Sequence, residues 1–211
     1  VLTDEIDLVE ARSRLAGIVS SGHGSPRWLV TGAWGFMCAG VTLQLGGSLV
    51  VVGLALVAAV LIDRVQLAMA RRRLPTFYLQ VAGGLVAAVL ATGIAAVVPD
   101  VDVSLMVTAN IIMLLAGIGF MGAIQDALTG FYVTASARIL EALLATAGII
   151  AGVSGGLTLA AVVGVEITSV APGRAGWVGL GTLALGSAIC AAAFAGATYA
   201  PRRSILPLAV V

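Results

Sequence analysis

The sequence contains no lysine, and only 10% of its 211 residues are charged. A soluble domain carries about 25% charged residues, whereas hydrophobic residues make up 60% of this chain. These proportions exclude an ordinary soluble domain and indicate a polytopic membrane protein that has the lipid bilayer as a partner. The formal net charge is +1, so there is no electrostatic reason to expect binding to nucleic acid.

Histidine and cysteine are nearly absent, which removes most catalytic and metal-binding arrangements. The single histidine, His23, lies in a glycine-rich segment, and one histidine cannot supply a metal cluster or a Ser-His-Asp triad. Cys38 and Cys190 lie inside apolar runs, where we expect them to pack as small residues. A phosphate-binding GxxxxGKS or GxxxxGKT loop needs a lysine. We therefore expect no metal, no cofactor, no ATP-driven pumping and no enzyme.

Apolar runs of membrane-spanning length fill most of the chain. Residues 28–62 hold no charge over 35 positions, whereas one membrane helix needs about 20, so this run predicts two helices that turn near Gln44–Ser48. Asp63 and the arginines after it mark a water-facing loop or a helix extension. We predict an all-α, polytopic helical bundle of about six membrane helices, over 28–44, 48–63, 77–98, 103–122, 136–164 and 176–198, plus the start of a seventh from Ile205.

Ahead of the first span, Leu2 to Ile18 are predicted to form a soluble amphipathic helix, and Ser20 to Pro26 form a linker rich in helix-breaking residues. The chain begins at Val1 and stops in an apolar run without a polar tail, so we expect a piece of a longer protein.

The arginines predict the orientation of the bundle. With a cytoplasmic amino terminus, ten of the eleven arginines fall on the inside and only Arg174 falls outside. Cytoplasmic loops of membrane proteins carry such an excess of basic residues. The distribution therefore predicts an amino terminus in the cytoplasm and supports the helix count.

Glycines within the spans allow two interpretations. Gly148, Gly152 and Gly156 recur every four residues, so they share one face of a helix and allow a neighbouring helix to approach closely. The same packing role is open to Gly117 and Gly119. Alternatively, Gly117-Ile118-Gly119 unwinds the fourth membrane helix and exposes backbone carbonyls to a substrate, as in many transporters.

A polar passage follows the fourth span, and ionisable groups beside apolar spans are costly and often functional. Asp126, flanked by Gln125 and Thr129, is either an ordinary interfacial carboxylate or one that lines the inner mouth and binds a proton or an ammonium group. Arg138 and Glu141 stand one turn apart. They either pair with each other or form a gate or proton relay.

Asn110 is an amide placed one third of the way into the fourth span. An amide at this depth usually bonds to a neighbouring helix, which is worth roughly 0.6–2 kcal/mol. Direct contact with a substrate is the alternative.

The order of motifs resembles the threonine/serine exporter family. The segments that carry the resemblance are PRW at 26–28, RRRLP at 71–75, PDVD at 99–102, GAIQDALTGFYVTASARILEALL at 122–144 and APRR at 200–203. Matching positions in the long motif are Asp126, Gly130, Arg138, Glu141 and Ala142. The resemblance implies a secondary transporter of the bacterial inner membrane that exports small hydroxy amino acids, threonine and serine, and is driven by protons. It also implies three parts: residues 1–26 as the end of a cytoplasmic soluble region, residues 27–165 as a five-helix first membrane domain, and residues 176–211 as the start of a second membrane domain of about five helices.

Three residues depart from the family pattern, in which Pro replaces Ala116, Asn replaces Gly122 and Arg replaces Gln125. These departures bear on substrate choice and coupling because two of them neighbour Asp126. The residues alone leave two alternatives to an amino-acid exporter: a channel or transporter of another small solute, or a non-transporting scaffold that assembles partners through its glycine faces. A homo-oligomer is compatible with each.

Overall fold

All regular structure in the described part of the chain is α-helical, which confirms the predicted fold class. The computed structural model describes residues 8–20, 26–98, 102–115, 117–164 and 177–198. The helices in these ranges are α1 Leu8–Ser20, α2 Arg27–Gln44, α3 Leu49–Arg71, α4 Thr76–Val97, α5 Val103–Leu114, α6 Gly117–Leu128, α7 Tyr132–Val162 and α8 Trp177–Ala197. The predictions for His23, for the turns at 99–101 and 166–174, and for the seventh span lie outside the described residues.

Fewer helices have the length and apolar character of a membrane span than the sequence predicts. Four such helices occur among the described residues, namely α3, α4, α7 and α8, and a fifth span results if α5 and α6 cross together despite a 42° bend. The helix predicted over 28–44 is present as α2. It is 18 residues long, begins at Arg27 and ends at Gln44, and it does not meet the same criterion. The chain is a multi-pass membrane protein with four or five spans by this measure.

The α3 helix runs well past its predicted end. Helix continues through Asp63 to Arg71, because residues 65–70 are mostly good helix formers and no glycine or proline interrupts them. The helix ends at Arg71, and Arg73, which lies shortly before Pro75, adopts a left-handed conformation with φ 57°. Of the two predicted alternatives, the helix extension is confirmed, and Asp63 lies inside the helix.

The parallel pair α4 and α7 packs through the predicted glycine face. A Cβ atom at Gly148 would lie 2.7 Å from the carbonyl oxygen of Phe77, and one at Gly156 would lie 2.6 Å from the Cβ atom of Ala88. A Cβ atom at Gly152 would overlap the carbonyl oxygen of Val81. Since backbone meets backbone at these points, the prediction of close packing through this face is confirmed.

A second close pair, α2 and α8, runs antiparallel. Gly40 and Gly186 face each other, since a Cβ atom on either would lie within 2.8 Å of the carbonyl oxygen of the other. Near one end of the pair, the rings of Trp34 and Phe194 meet edge to face with centroids 6.3 Å apart.

The buried core lies between these two pairs, around α3 and α5. Val51 and Ala58 of α3, Ala91 of α4, and Val103 and Met106 of α5 form its centre. The α5 helix contacts α2, α3 and α4, whereas α6 packs against α7. The two halves of the bent pair therefore belong to different parts of the bundle.

Candidate functional site

The charged residues of α2–α8 gather at one end of the bundle, which we call the charged end. Successive helices from α2 to α4 are joined by short turns, and they alternate in direction. The start of α2, the end of α3, the starts of α4 and α7 and the end of α6 therefore meet there. Among the described residues of these helices and their caps, Asp102 is the charged residue at the opposite end, where its side chain accepts from the Leu105 amide and caps α5.

Asp126 of α6 and Arg138 of α7 form an ion pair at the charged end. The carboxylate Oδ2 lies 3.2 Å from the guanidinium Nη1, and the side chains are 23% and 48% exposed. Oδ2 is itself buried and accepts no hydrogen bond from the described residues, so the two groups attract each other without hydrogen-bond alignment. A half-solvated pair contributes little stability, and both groups retain capacity for another partner.

The turn after α6 places Asp126 by a local hydrogen-bond pattern. Gly130 has φ 88°, and its amide donates to the carbonyl of Ala127 over 3.2 Å. The Phe131 amide donates over 2.8 Å to the carbonyl of Asp126. These two bonds form a Schellman motif, which favours glycine at the left-handed position. The sequence DALTGF thus ends α6 and reverses the chain into α7.

Gly122 provides the space in which the Arg138 side chain lies. A Cβ atom at Gly122 would stand 2.6 Å from Arg138 Nη1, so the guanidinium crosses the bare surface of α6 to reach Asp126.

The structure contradicts the predicted pairing of Arg138 with Glu141. Arg138 turns to Asp126, whereas Glu141 Oε1 accepts a hydrogen bond of 3.2 Å from the Thr76 hydroxyl at the start of α4. The side chains three residues apart diverge because each has a partner on a different helix. The order of arginine before glutamate is also the weaker one for such a pair.

Arg138→Gln and Glu141→Gln are therefore expected to act additively on stability, within about 0.5 kcal/mol. Asp126→Asn and Arg138→Gln should instead couple, by about 0.2–1 kcal/mol. Unfolding of the singles and doubles in detergent measures both couplings. A coupling of Arg138 to Glu141 larger than that to Asp126 would contradict the observed pairing.

The remaining predicted residues beside Asp126 are exposed. Gln125 presents its side chain to the outside of α6. The Thr129 hydroxyl donates to the carbonyl of Gln125 over 2.9 Å and lies 3.2 Å from the carbonyl of Asp126, so it caps the end of α6. The structure thus brings Asp126, Arg138, Gln125 and Thr129 into one region.

Asn110 lies apart from this region, fully buried in α5. Its amide nitrogen donates over 2.8 Å to the Met106 carbonyl of its own helix, rather than to a neighbouring helix as predicted. Its Oδ1 has no hydrogen-bond partner among the described residues, and a buried polar atom left in this state destabilises the fold.

Sequence reasoning missed a buried charge cluster between α2 and α3. The Asp63 residue is 5% exposed, its Oδ1 lies 3.2 Å from Nη2 of Arg27, and its Oδ2 accepts from the Thr31 hydroxyl over 2.7 Å. The sequence did contain a signal for this contact between Arg27 and Asp63. In a helix pair that turns near Gly46, residues at similar distances from the turn lie side by side, and Arg27 and Asp63 stand 19 and 17 positions from it.

The predicted break in the fourth span exists, but it precedes the two glycines. The α5 helix ends at Leu114, and the extended conformation of Leu115 (φ −62°, ψ 132°) stops it. Gly117 and Gly119 are the first and third residues of α6, so they start the second half instead of unwinding the first. A helix start leaves four backbone amides without partners in the helix.

A cavity of about 620 Å³ adjoins this break, between α2, α5, α6 and α8. Leu115 and Gly119 line it from the two sides of the break, and its walls are mainly apolar. Gln44, Ser187 and Cys190 contribute its polar side chains. A cavity beside a discontinuous span is the arrangement in which many transporters hold a substrate.

Comparison with known proteins places these features in a family. Residues 1–160 match the family model of threonine/serine exporters. The chain is 33% identical over 210 residues to a protein of Mycobacterium tuberculosis named "Probable threonine/serine exporter", covering 93% of this chain and 38% of the relative. It is 33% identical over 178 residues to the "Threonine/serine exporter" of Corynebacterium glutamicum, covering 82% of this chain and 36% of that protein. The chain thus spans less than two fifths of the length of these relatives. No solved structure matches it.

Proposed function

Because the chain belongs to the threonine/serine exporter family, we propose that it is part of a secondary transporter that exports threonine and serine across the bacterial inner membrane, driven by protons. The names of the two relatives support threonine and serine as the substrates. The long apolar helices support a location in a membrane. The family match ends at residue 160, which supports a first membrane domain over 27–165 and a second that starts with α8.

The observation that carries the proposal is the loose ion pair at the charged end. An amino acid at neutral pH is a zwitterion, with an ammonium and a carboxylate a few ångströms apart. Asp126 complements the ammonium and Arg138 complements the carboxylate, since an arginine fork matches a carboxylate well. The two side chains are partly exposed, so a substrate can replace each as the partner of the other.

The neighbouring polar groups complete this entrance. Gln125 and Thr129 border Asp126 at the end of α6, where they support polar contacts with the substrate hydroxyl. Glu141 is exposed and bonds to Thr76, which supports a role in joining α7 to α4 beside the path. The cavity at the break in the fourth span supports a route inward, with Gly117 and Gly119 starting the helix beside it.

Transport by the full-length protein in proteoliposomes tests the proposal. We expect net movement of labelled threonine from the cytoplasmic side, into a compartment that contains none, only when a proton gradient is imposed, and a protonophore to abolish this flux. Threonine flux that is indifferent to the gradient would favour a channel, and the absence of any flux of threonine or serine would favour another solute or a scaffold.

The charged end is expected to face the cytoplasm, because cytoplasmic segments are rich in arginine. Arg72→Cys places a thiol at this end and Val97→Cys places one at the opposite end, and both positions are exposed. In a background with Cys38→Ala and Cys190→Ala, an impermeant thiol reagent added outside intact cells should label only the Val97 variant. Labelling of both variants from one side would overturn the alternation of the helices across the membrane.

A further inference from the structure

Asp63 carries a charge inside a membrane span. It stands 14 residues after the first residue of α3, which is about 21 Å along the helix, and eight residues remain before the helix ends at Arg71. The hydrocarbon layer is about 30 Å thick, so Asp63 lies within its depth, nearer the charged end. An ionisable residue inside a membrane span usually belongs to a substrate path, an ion path or a proton relay. The groups that contact it indicate which of these roles it has.

The two partners of Asp63 differ in their access to water. Arg27 is the first residue of α2 and its side chain is 49% exposed, so water can solvate the guanidinium if the carboxylate loses its charge. Thr31 is 2% exposed, and its hydroxyl has no access to water as an alternative partner. The Arg27 guanidinium can therefore separate from Asp63 into water, whereas the Thr31 hydroxyl stays beside the carboxylate.

The Thr31 hydroxyl has a partner for each protonation state of Asp63. Its oxygen lies 2.7 Å from Asp63 Oδ2 and 3.2 Å from the carbonyl oxygen of Arg27. When Asp63 is ionised, the hydroxyl donates its hydrogen to Oδ2. When a proton from water binds to Oδ2, the new O–H group donates to the hydroxyl oxygen, and the hydroxyl hydrogen turns to the carbonyl of Arg27. Neither state leaves Oδ2 or the Thr31 hydroxyl without a hydrogen-bond partner, which would be costly for a buried group.

We propose that Asp63 is the proton-binding carboxylate of this transporter, with Arg27 as a counter-ion that is released on protonation and Thr31 as a hydroxyl that serves both states. This inference rests on the proton-driven export proposed above. Asp126 is the weaker candidate, because its buried Oδ2 accepts no hydrogen bond from the described residues and its guanidinium partner is suited to a substrate carboxylate.

The other groups around Asp63 do not compete for this role. Of the helices that pack against α3, α2 contributes Arg27, and α4 contains one titratable side chain, the exposed Tyr78. The α5 span contains none, and its cap, Asp102, lies at the far end of the bundle. On α3 itself, Arg64 is exposed. The described residues thus leave Arg27 as the charged group in contact with Asp63.

Asp63→Asn in the full-length protein tests the proposal, because an amide of the same size mimics the protonated acid and cannot release a proton. In proteoliposomes we expect export driven by a proton gradient to fall to the level of empty vesicles. Exchange of labelled for unlabelled threonine should continue at the wild-type rate, since exchange needs no net movement of protons. Asp102→Asn is the matched control, because asparagine also caps a helix, and it should retain both activities.

Infrared difference spectra on acidification provide a readout that is independent of the substrate. The carboxyl band of the wild type should contain the component of a buried, weakly hydrated acid, which should persist in Asp102→Asn and be missing in Asp63→Asn. Thr31→Ser should retain gradient-driven export, whereas Thr31→Val should lose most of it. Gradient-driven export in Asp63→Asn, or an unchanged infrared band, would overturn the assignment of the proton to Asp63. A wild type that moves threonine with no proton dependence would instead overturn the proposed function.

Discussion

Asp126→Asn is expected to abolish export of threonine at ordinary substrate concentrations while the protein still folds and inserts. In the proposed site this carboxylate binds the substrate ammonium. A hydrogen bond to a charged group contributes about 1.5–3 kcal/mol, so its loss should raise the half-saturating concentration roughly 10- to 100-fold. The measurement is the concentration dependence of efflux from vesicles with equal amounts of inserted protein. Wild-type kinetics in this variant would remove Asp126 from the substrate site.

A charge exchange separates substrate binding from a purely structural ion pair. The double variant D126R/R138D restores attraction between α6 and α7, and we expect it to restore inserted abundance relative to either single change. Export should stay absent, because the substrate ammonium and carboxylate would each meet the wrong charge at its position. Recovery of export in the double variant would show that the pair acts only by holding the two helices together. Asp102→Asn again serves as the control for removal of a carboxylate.

Gly152→Ala is expected to lower the stability of the bundle more than any other single methyl group added along α7. The new Cβ atom would overlap the carbonyl of Val81 in α4, and backbone cannot swing aside as a flexible side chain can. Overpacking of this kind costs about 1–3 kcal/mol. Thermal unfolding in detergent and the amount of inserted protein both report the change.

Gly155→Ala is the matched control on the same helix. A Cβ atom there would meet only Leu85 Cδ1 at 4.0 Å, which is ordinary contact. Alanine favours a helix over glycine by about 0.5–1 kcal/mol, so this variant should be as stable as the wild type or slightly more so. Equal losses at positions 152 and 155 would contradict the close approach of α4 and α7.

Hydropathy and glycine spacing predicted the helices and the face on which α4 and α7 meet, because both depend on the periodicity of a single helix. The partners of the charged groups were not predictable in the same way. Arg138 and Glu141 are one turn apart, and the sequence cannot show that α6 lies beside the first and α4 beside the second. Asp63 was assigned to the end of its span because charges are usual there, although no glycine or proline follows it until Pro75. The position of the break at Leu115 was not predictable either, since leucine itself favours a helix.

Because α4 and α7 are parallel neighbours that are far apart in the chain, they can pack together only some time after α4 has been synthesised. Gly148 stands 71 residues after Phe77, the residue whose carbonyl it contacts. At 5–20 residues per second, a ribosome needs roughly 4 to 14 seconds to make that interval. During this time the small residues of α4 that later contact α7, among them Gly84 and Ala88, face lipid or a temporary partner. The two helices made in between are the bent pair, α5 and α6, so α7 packs against a helix that was inserted before both of them.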